Sequence, residues 1–467
     1  MSVISTIRGW FAMLFKSRAK EEFNVEPIRA EDMDAWVTEC VNIYKGSPSW
    51  LDPDDGIDTV NFAKAICSEV ARLATLGIGI HVDGSPRAKW IDEQINKIYY
   101  QLRHWVEFGS AYGTVILKPN GDTIDLYTRD QFEVTQVENG EITGAIFANQ
   151  QMAGDRWYTR LEYHRFEGDL YRITNKCYVG KSRNDAHERI DIKLTPWAEL
   201  TEDASIANVS QPLFGVLRMP QANNIAPGSP FGLPVFSEAV QELRDLDIAY
   251  SRNAQEIVDS KRTVLLDSDV LFVSGERIAT SAAAQAQRRA SLGLPNMVKN
   301  VTGSGQETFY QEINPTLNTA TRLEGINSLL SQIGYKVGFS NGYFVFNQSS
   351  GIQTATQVEA DQQRTIQFIK DVRDKLESCL DAVIYALNAF ADLYGLAPAG
   401  TYETVYDFGD ITYSAAEDKA RWYSYVTAGK VPFWYYLVKF EGFTEEEARE
   451  LEESAQPKNP TLFGGEE

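Results

Sequence analysis

Asp52, Asp54, Asp55 and Asp58 surround Gly56 and offer the oxygen ligands that a calcium ion takes. Their spacing argues otherwise. A calcium loop of the EF-hand type places carboxylates one, three and five residues before its glycine. Here those places hold Asp55, Pro53 and Leu51, so a solvated acidic turn is the expectation. The four histidines (His81, His104, His164, His187) are scattered, as are the four cysteines (Cys40, Cys67, Cys177, Cys379). Neither set has zinc-site spacing, and the cysteines fit a reducing compartment rather than a disulfide framework. HExxH, GxGxxG and paired CxxC are absent. Gly303-Ser304-Gly305 lacks the lysine and the strand-to-helix setting of a phosphate loop. The expectation is a non-enzyme with no catalytic residue, no metal and no cofactor.

Charge offers more. The chain of 467 residues carries a formal net charge of −21, which argues against a sequence-reading DNA binder. Residues 270–306 depart from that balance, with one acid against Arg277, Arg288, Arg289 and Lys299. Two readings stay open there: a solvated face, or a surface for an acidic partner or a passing phosphate backbone. Residues 1–20 hold Arg8, Lys16, Arg18 and Lys20 and no acid, with Ile4, Ile7, Trp10, Phe11, Leu14 and Phe15 at helical spacing. This arm docks on protein or lies on a membrane surface. Its apolar run is too short for a secretory signal, and no stretch approaches the ~18 apolar residues of a membrane span.

The elements that must position these groups follow from periodicity. Val60–Leu76 reads as a helix with Ile66, Val70 and Leu73 inward, and Ile91–Phe108 as another with Ile95, Ile98, Leu102 and Trp105 inward. From Gly113 the period falls to two. An antiparallel meander of about six strands is expected, with turns at Asn139-Gly140 and Glu167-Gly168-Asp169. Trp157, Tyr158, Tyr163 and Tyr171 read as sheet packing.

A long helix then spans about Phe236–Asp259, its seam running Phe236, Val240, Leu243, Asp247, Tyr250, Ala254 and Ile257. So narrow a seam suits helix-on-helix packing. Thr263–Leu266 and Thr308–Ile313 read as strands around a helix at Ile278–Leu292. A second helix, Thr319–Val337, contains Gly325 and Gly334, which are easiest to explain where another backbone comes close. Between Gly338 and Gly351 lies a glycine-flanked segment carrying Tyr343, Phe344 and Phe346. It is either a mobile aromatic finger or a loop whose aromatics complete a core. Thr354–Leu393 is the longest helix, about 60 Å at 1.5 Å per residue. Helices at Ala415–Ala428, Val431–Glu441 and Thr444–Ser454 follow, the last opened by a Thr444/Glu447 capping box. The tail after Pro457 reads as unstructured.

That order of elements resembles the portal proteins of long-tailed bacteriophages, particularly those from phages of Gram-positive hosts. Four stretches carry the similarity: Phe108-Gly-Ser-Ala-Tyr-Gly113; Pro212-Leu-Phe through Met219-Pro-Gln-Ala-Asn-Asn224 with Pro230-Phe-Gly-Leu-Pro234; Gln353-Thr-Ala-Thr-Gln-Val358; and Thr427-Ala-Gly429 with Phe440–Ala448. Gln353 and Gln357 depart from the charged residues common in the family.

The resemblance implies an α+β portal architecture: an N-terminal arm (1–20), a wing (21–235), stem helices at 236–260 and 316–338, and a clip (261–315). A tunnel loop (339–353), a long wing helix (354–396) and a helical crown with an acidic tail (397–467) complete it. It further implies a homo-oligomeric ring, generally of twelve subunits, at one capsid vertex of the virion, assembled in the host cytoplasm. Transiting double-stranded DNA, the terminase large subunit, head-completion and adaptor proteins, and major capsid and scaffolding proteins would be its partners, with no membrane. Asn341, Gly342, Tyr343, Phe344, Phe346, Asn347 and Gln348 would face DNA. Arg277, Arg288, Arg289 and Lys299 would face partners at the clip, and Gly325 and Gly334 would serve close packing in the stem. A metal-dependent hydrolase or nuclease built on acidic clusters is the alternative function, and a peripheral membrane scaffold a weaker third.

Overall fold

The computed structural model describes residues 18–28, 31–52, 54, 56–121, 123–183, 188–260, 263–267, 297–301, 310–313, 318–345, 355–409, 415–427, 430–441 and 443–455. The arm before residue 18, the expected helix at 278–292, the glycines at 303 and 305, and the tail lie outside these. Helix makes up 47% and sheet 24%, and the larger sheets are antiparallel, which is an α+β composition. Two compact units result: Met1–Thr75 with Gly79–Tyr406, and Leu76–Ile78 with Asp407–Glu467.

In the first unit the hairpin signals are met in detail. Asn139 (φ 52°) and Gly140 (φ 82°) supply the two positive φ angles of a tight two-residue turn between Phe132–Glu138 and Glu141–Ala153. The single meander is not what forms, however. Thr114–Asn120 and Thr123–Tyr127 join Gly215–Arg218 in a three-stranded sheet. Phe132–Glu138, Glu141–Ala153, Arg156–Glu167, Leu170–Gly180 and Glu188–Ile190 make a second, with Asp203–Ala207 also pairing on Leu170–Gly180. A turn at 128–131 makes the switch, closed by Gln131 N donating to Thr128 O at 2.8 Å. Alternation fixes which side chains share a face, but does not say which edge a strand finds. Ile116, Tyr127, Phe132, Phe147, Phe214 and Phe231 form a common core across the two sheets.

The helix Glu31–Tyr44 adds Met33, Val37 and Val41 to that core. Phe62–Ala74 buries Ile66, Val70 and Leu73 as expected. The expected 91–108 helix is two, Pro86–Ile98 and Leu102–Tyr112, joined by a 3-10 turn at Tyr99–Gln101. Ser85 caps the first, accepting from Ala88 N, with Pro86 in the first turn where its missing N–H costs nothing. Ile95, Ile98, Leu102 and Trp105 are all buried, so one apolar face runs through the break and hides it from a periodicity argument.

The quoted Gly-rich stretches meet at one crossing. Met219 N donates to Gly113 O at 2.9 Å, Val235 N to Ser110 O at 2.9 Å, and Gly232 N to Thr114 Oγ1 at 2.8 Å. Gly113 has φ +76°, and a Cβ there would stand 2.3 Å from Gly232 O, so no other residue fits.

Val240–Asp259 and Thr319–Val337 pair as an antiparallel hairpin of helices, tied at one end by Lys336 to Glu242 at 2.5 Å and at the other by Arg322 to Glu256. Between them Thr263–Asp267, Met297–Val301 and Tyr310–Ile313 form a three-stranded sheet. Met297–Val301, an edge of this sheet, is a strand that the weak alternation of Met-Val-Lys-Asn-Val did not announce. Ala355–Tyr394, 40 residues long, buries Ile369, Val372, Leu376, Leu380, Val383 and Leu387.

The second unit holds Ala415–Thr427, Phe433–Tyr436 continued by a π turn at Leu437–Glu441, and Glu445–Ala455. The capping box forms: Glu447 N donates to Thr444 Oγ1 at 3.4 Å, and Thr444 N to Glu447 Oε2 at 3.0 Å. Tyr436, Leu437 and Ala448 make its buried centre, with Trp422, Phe433 and Phe440 packed around them.

Candidate functional site

Three places concentrate chemistry or uncovered surface. The first is the foot of the glycine-flanked loop. Thr319–Val337 ends at Gly338 (φ 116°), which accepts the left-handed conformation that stops the helix and returns its N–H to Gly334 O. Ser340 then locks onto the long helix: its N–H donates to Thr365 Oγ1 at 2.8 Å, and Thr365 Oγ1 donates to Ser340 Oγ at 3.0 Å. Gly338-Phe-Ser-Asn-Gly342 spells the GxSxG pattern of a serine nucleophile. Here it follows a helix rather than a strand, and Ser340 is buried against Thr365 rather than a histidine, so the elbow geometry is missing.

Tyr343 and Phe344 are half-buried at this foot, not at a free tip. Phe344 lies 4.7 Å from Phe339 and 5.2 Å, edge-on, from Phe62, while its ring approaches Gly334, where a Cβ would stand 3.2 Å away. The close approach expected at Gly334 is therefore an aromatic ring rather than a helix backbone. Tyr343 donates its hydroxyl to Glu69, which Arg72 grips with two bonds of 2.7 Å. The Arg72 bonds and the Tyr343 hydroxyl outweigh desolvation and hold Glu69 below its usual value; burial pushes Tyr343 up to about 12, so it stays a donor. Asn341 is exposed and Gly342 half-exposed. Phe346, Asn347 and Gln348 lie outside the described residues, as do Arg277, Arg288 and Arg289. Lys299 is in Met297–Val301, paired in register with Leu265.

The second place is the distal half of the helix hairpin. Leu243, Leu246 and Asp247 are buried, Asp247 accepting from Trp50 Nε1 and Val60 N, both at 2.9 Å. Between Trp50 and Val60 in the chain lies the acidic turn, where Asp54 N donates to Asp52 Oδ1 and Asp58 N to Ser251 Oγ. Past Asp247 the seam is bare: Tyr250, Ala254, Ile257 and Val258 are exposed, and among the described residues nothing lies within 4 Å of where a Cβ on Gly325 would be.

The third place was invisible to spacing arguments. Glu162 lies between the two sheets and accepts from Lys118 Nζ at 2.8 Å and Arg160 Nη2 at 2.9 Å. Its other oxygen meets His164 Nε2 at 3.0 Å, and His164 Nδ1 meets the Tyr171 hydroxyl at 2.9 Å. Tyr171 in turn accepts from Leu213 N at 3.0 Å. One tautomer satisfies the chain: Nε2–H donates to the carboxylate and Nδ1 accepts from the phenol. Burial drives His164 below its ordinary 6.5, keeping it neutral, while Arg160, Lys118 and His164 overcome desolvation and hold Glu162 well below 4.5.

The sign of the pH dependence follows. Both folded-state values are depressed, so the unfolded chain takes up protons that the folded chain refuses, first as pH falls below about 6.5 and again below about 4.3. Stability is full above these values and is lost on acidification. Urea midpoints measured from pH 8 to 5 should fall for the parent chain and fall less for His164→Gln.

The cysteines Cys40, Cys67, Cys177 and Cys379 are free and buried, and burial raises each thiol, Cys40 to about 12 and Cys177 to about 11. Among the described residues no group of three His, Cys, Asp or Glu is placed to hold a metal ion, and no helix is long and apolar enough to cross a membrane. In comparison with known proteins, the chain matches no family model and no curated protein.

Proposed function

We propose that this chain is the subunit of a portal-type ring, a conduit for double-stranded DNA at a capsid vertex and the docking site for the packaging motor and head-completion proteins. The observation that carries the reading is the bare seam on the helix hairpin. Tyr250, Ala254, Ile257 and Val258 recur at helical spacing on an exposed face, and Gly325 leaves open space, among the described residues, in a helix interior where Ala would be more stable. A second copy covering this stripe explains both, and repetition of the same heterologous contact closes a ring.

Under this reading Val240–Asp259 and Thr319–Val337 are the stem, and the sheet of 263–313 is the clip, with Arg277, Arg288, Arg289 and Lys299 toward partners. The wing surrounds the two-sheet core. Asn341, Phe346, Asn347 and Gln348 carry the DNA-facing role, since Tyr343 and Phe344 are engaged at the loop's foot. Repeating a net charge of −21 around the bore repels phosphate and leaves few sticky points for a sliding duplex.

The test is direct. Class averages viewed down a symmetry axis should show a hollow collar, with subunit interfaces above ~2,000 Å². Ile257→Asp places a charge in the seam and should convert rings to folded monomers in native mass spectrometry. Its circular dichroism should be unchanged, because Ile257 is half exposed in the single chain. A monomeric parent, or a solid particle, overturns the reading.

A further inference from the structure

The two ion pairs that tie the helix hairpin also orient it. Glu242 meets Lys336 and Glu256 meets Arg322, so that side of Val240–Asp259 faces Thr319–Val337. At about 100° per residue, Tyr250, Ala254, Ile257 and Val258 lie roughly a third of a turn to one side of this contact, and Arg244 and Arg252 roughly a third of a turn to the other. The hairpin therefore has two opposite faces. The first is the bare apolar stripe. Toward the body the same face meets the acidic turn, where Asp58 N donates to Ser251 Oγ at 3.0 Å and both Asp54 and Asp58 are exposed. The second face carries Arg244 and Arg252, both exposed and, among the described residues, in no salt bridge. The two ion pairs also set Gly325 level with Asn253 across the antiparallel pair, and its angle on Thr319–Val337 turns it to the arginine face. Among the described residues nothing lies within 4 Å of a Cβ placed there. The second face thus has a dent at the level of the stripe and two cations at the level of the carboxylates.

We propose that the occupant of the stripe is the arginine-and-glycine face of the next copy of this chain. Ala254 and Ile257 of one subunit seat over Gly325 of its neighbour, and Asp54 and Asp58 of the one stand opposite Arg244 and Arg252 of the other. Shape and charge agree on this pairing. A glycine without a neighbour admits a partner's side chain at close range, and the facing charges fix the register along the helices. Because the complementary features lie on opposite faces of one hairpin at matching levels, every subunit offers one of each. A contact between unlike faces is heterologous and repeats around an axis along the hairpin until it closes, whereas stripe against stripe would be isologous and stop at two. This inference rests on the ring reading above and adds to it which two faces meet.

Thiol cross-linking on the full chain tests the pairing, since the native cysteines are all buried and leave introduced ones as the reporters. Ala254→Cys and Gly325→Cys combined in one chain, treated with a short bis-maleimide, should give a ladder of covalent multimers on a denaturing gel. Either substitution alone should leave monomers, and the opposed directions of the two positions prevent a bridge within one chain. Dimers from Ala254→Cys alone would show stripe meeting stripe and overturn the proposal. Charge reversal supplies a second readout. Arg252→Glu and Asp58→Arg, both at exposed positions, should each raise the subunit concentration for half-assembly in sedimentation velocity by about tenfold or more, and the two together should return it to within about threefold of the parent. Single reversals within about twofold of the parent, or a double variant no better than the single ones, overturn the pairing. A parent chain that forms no ring overturns the ring reading itself, whereas a ring that forms without the ladder overturns only this choice of faces.

Discussion

Glu162→Gln is expected to destabilise the first unit by about 3–5 kcal/mol, the range for removing one partner of a buried ion pair. Lys118 and Arg160 are each about 1% exposed, and both direct a nitrogen at the same Glu162 oxygen. An amide of equal size fills the space but cancels the charge. Two buried cations then lose their shared counter-ion, and His164 Nε2 faces either an amide oxygen or a second donor. Arg160 has no slack to absorb this, since its Nε and Nη1 find no hydrogen-bond partner among the described residues and its guanidinium lies 5.2 Å from the Trp197 ring. Chemical denaturation monitored by tryptophan fluorescence should show a lower midpoint. Lys118→Met in the same background should recover part of the loss, because it removes one of the stranded charges. A Glu162→Gln midpoint equal to the parent's would mean that the network contributes nothing net.

Arg87→Met is expected to cost about 3 kcal/mol, from the loss of five hydrogen bonds made by one buried guanidinium. Arg87 is 2% exposed and closes the C-terminal end of the long helix: it donates to Asn388 O at 2.9 Å, Ala397 O at 2.7 Å and Pro398 O at 3.0 Å. It also reaches Asn388 Oδ1 and Asp392 Oδ1. A lysine carries the charge but not the planar fork, so Arg87→Lys should recover little. Asp392→Asn is the control. That carboxylate is 59% exposed, and an exposed pair of this kind contributes at most about 1 kcal/mol. Thermal unfolding of the three variants should therefore rank Asp392→Asn close to the parent and the two Arg87 variants well below it.

Arg87 and Arg373 are both buried guanidiniums that donate to backbone carbonyls of a distant segment: Arg373 to Leu73 O and Ala74 O at the end of Phe62–Ala74, and Arg87 to Ala397 O and Pro398 O just past the end of the long helix. Neither was marked in the sequence, where an arginine among polar neighbours on a helix reads as solvated surface. Glu162 and His164 were hidden for a related reason. They alternate with Leu161 and Tyr163 as an outward polar face would, and become interior because the three-stranded sheet carrying Lys118 covers that face.

What the chain's own order of residues determined is local. Apolar spacing placed Thr319–Val337 at its observed bounds and the long helix within a residue of them; Asn139-Gly140 fixed a hairpin; Thr444 and Glu447 fixed a cap. These follow from side-chain direction along one helix or strand, which repeats over a few residues whatever lies elsewhere. Only the tertiary structure decided that the meander divides into two sheets and that a carboxylate gathers two cations between them. It also decided that Tyr343 finds Glu69 and that half of the 240–259 seam stays bare. Each of these joins groups tens to hundreds of residues apart, and burial by a distant segment leaves no period in the sequence that is buried.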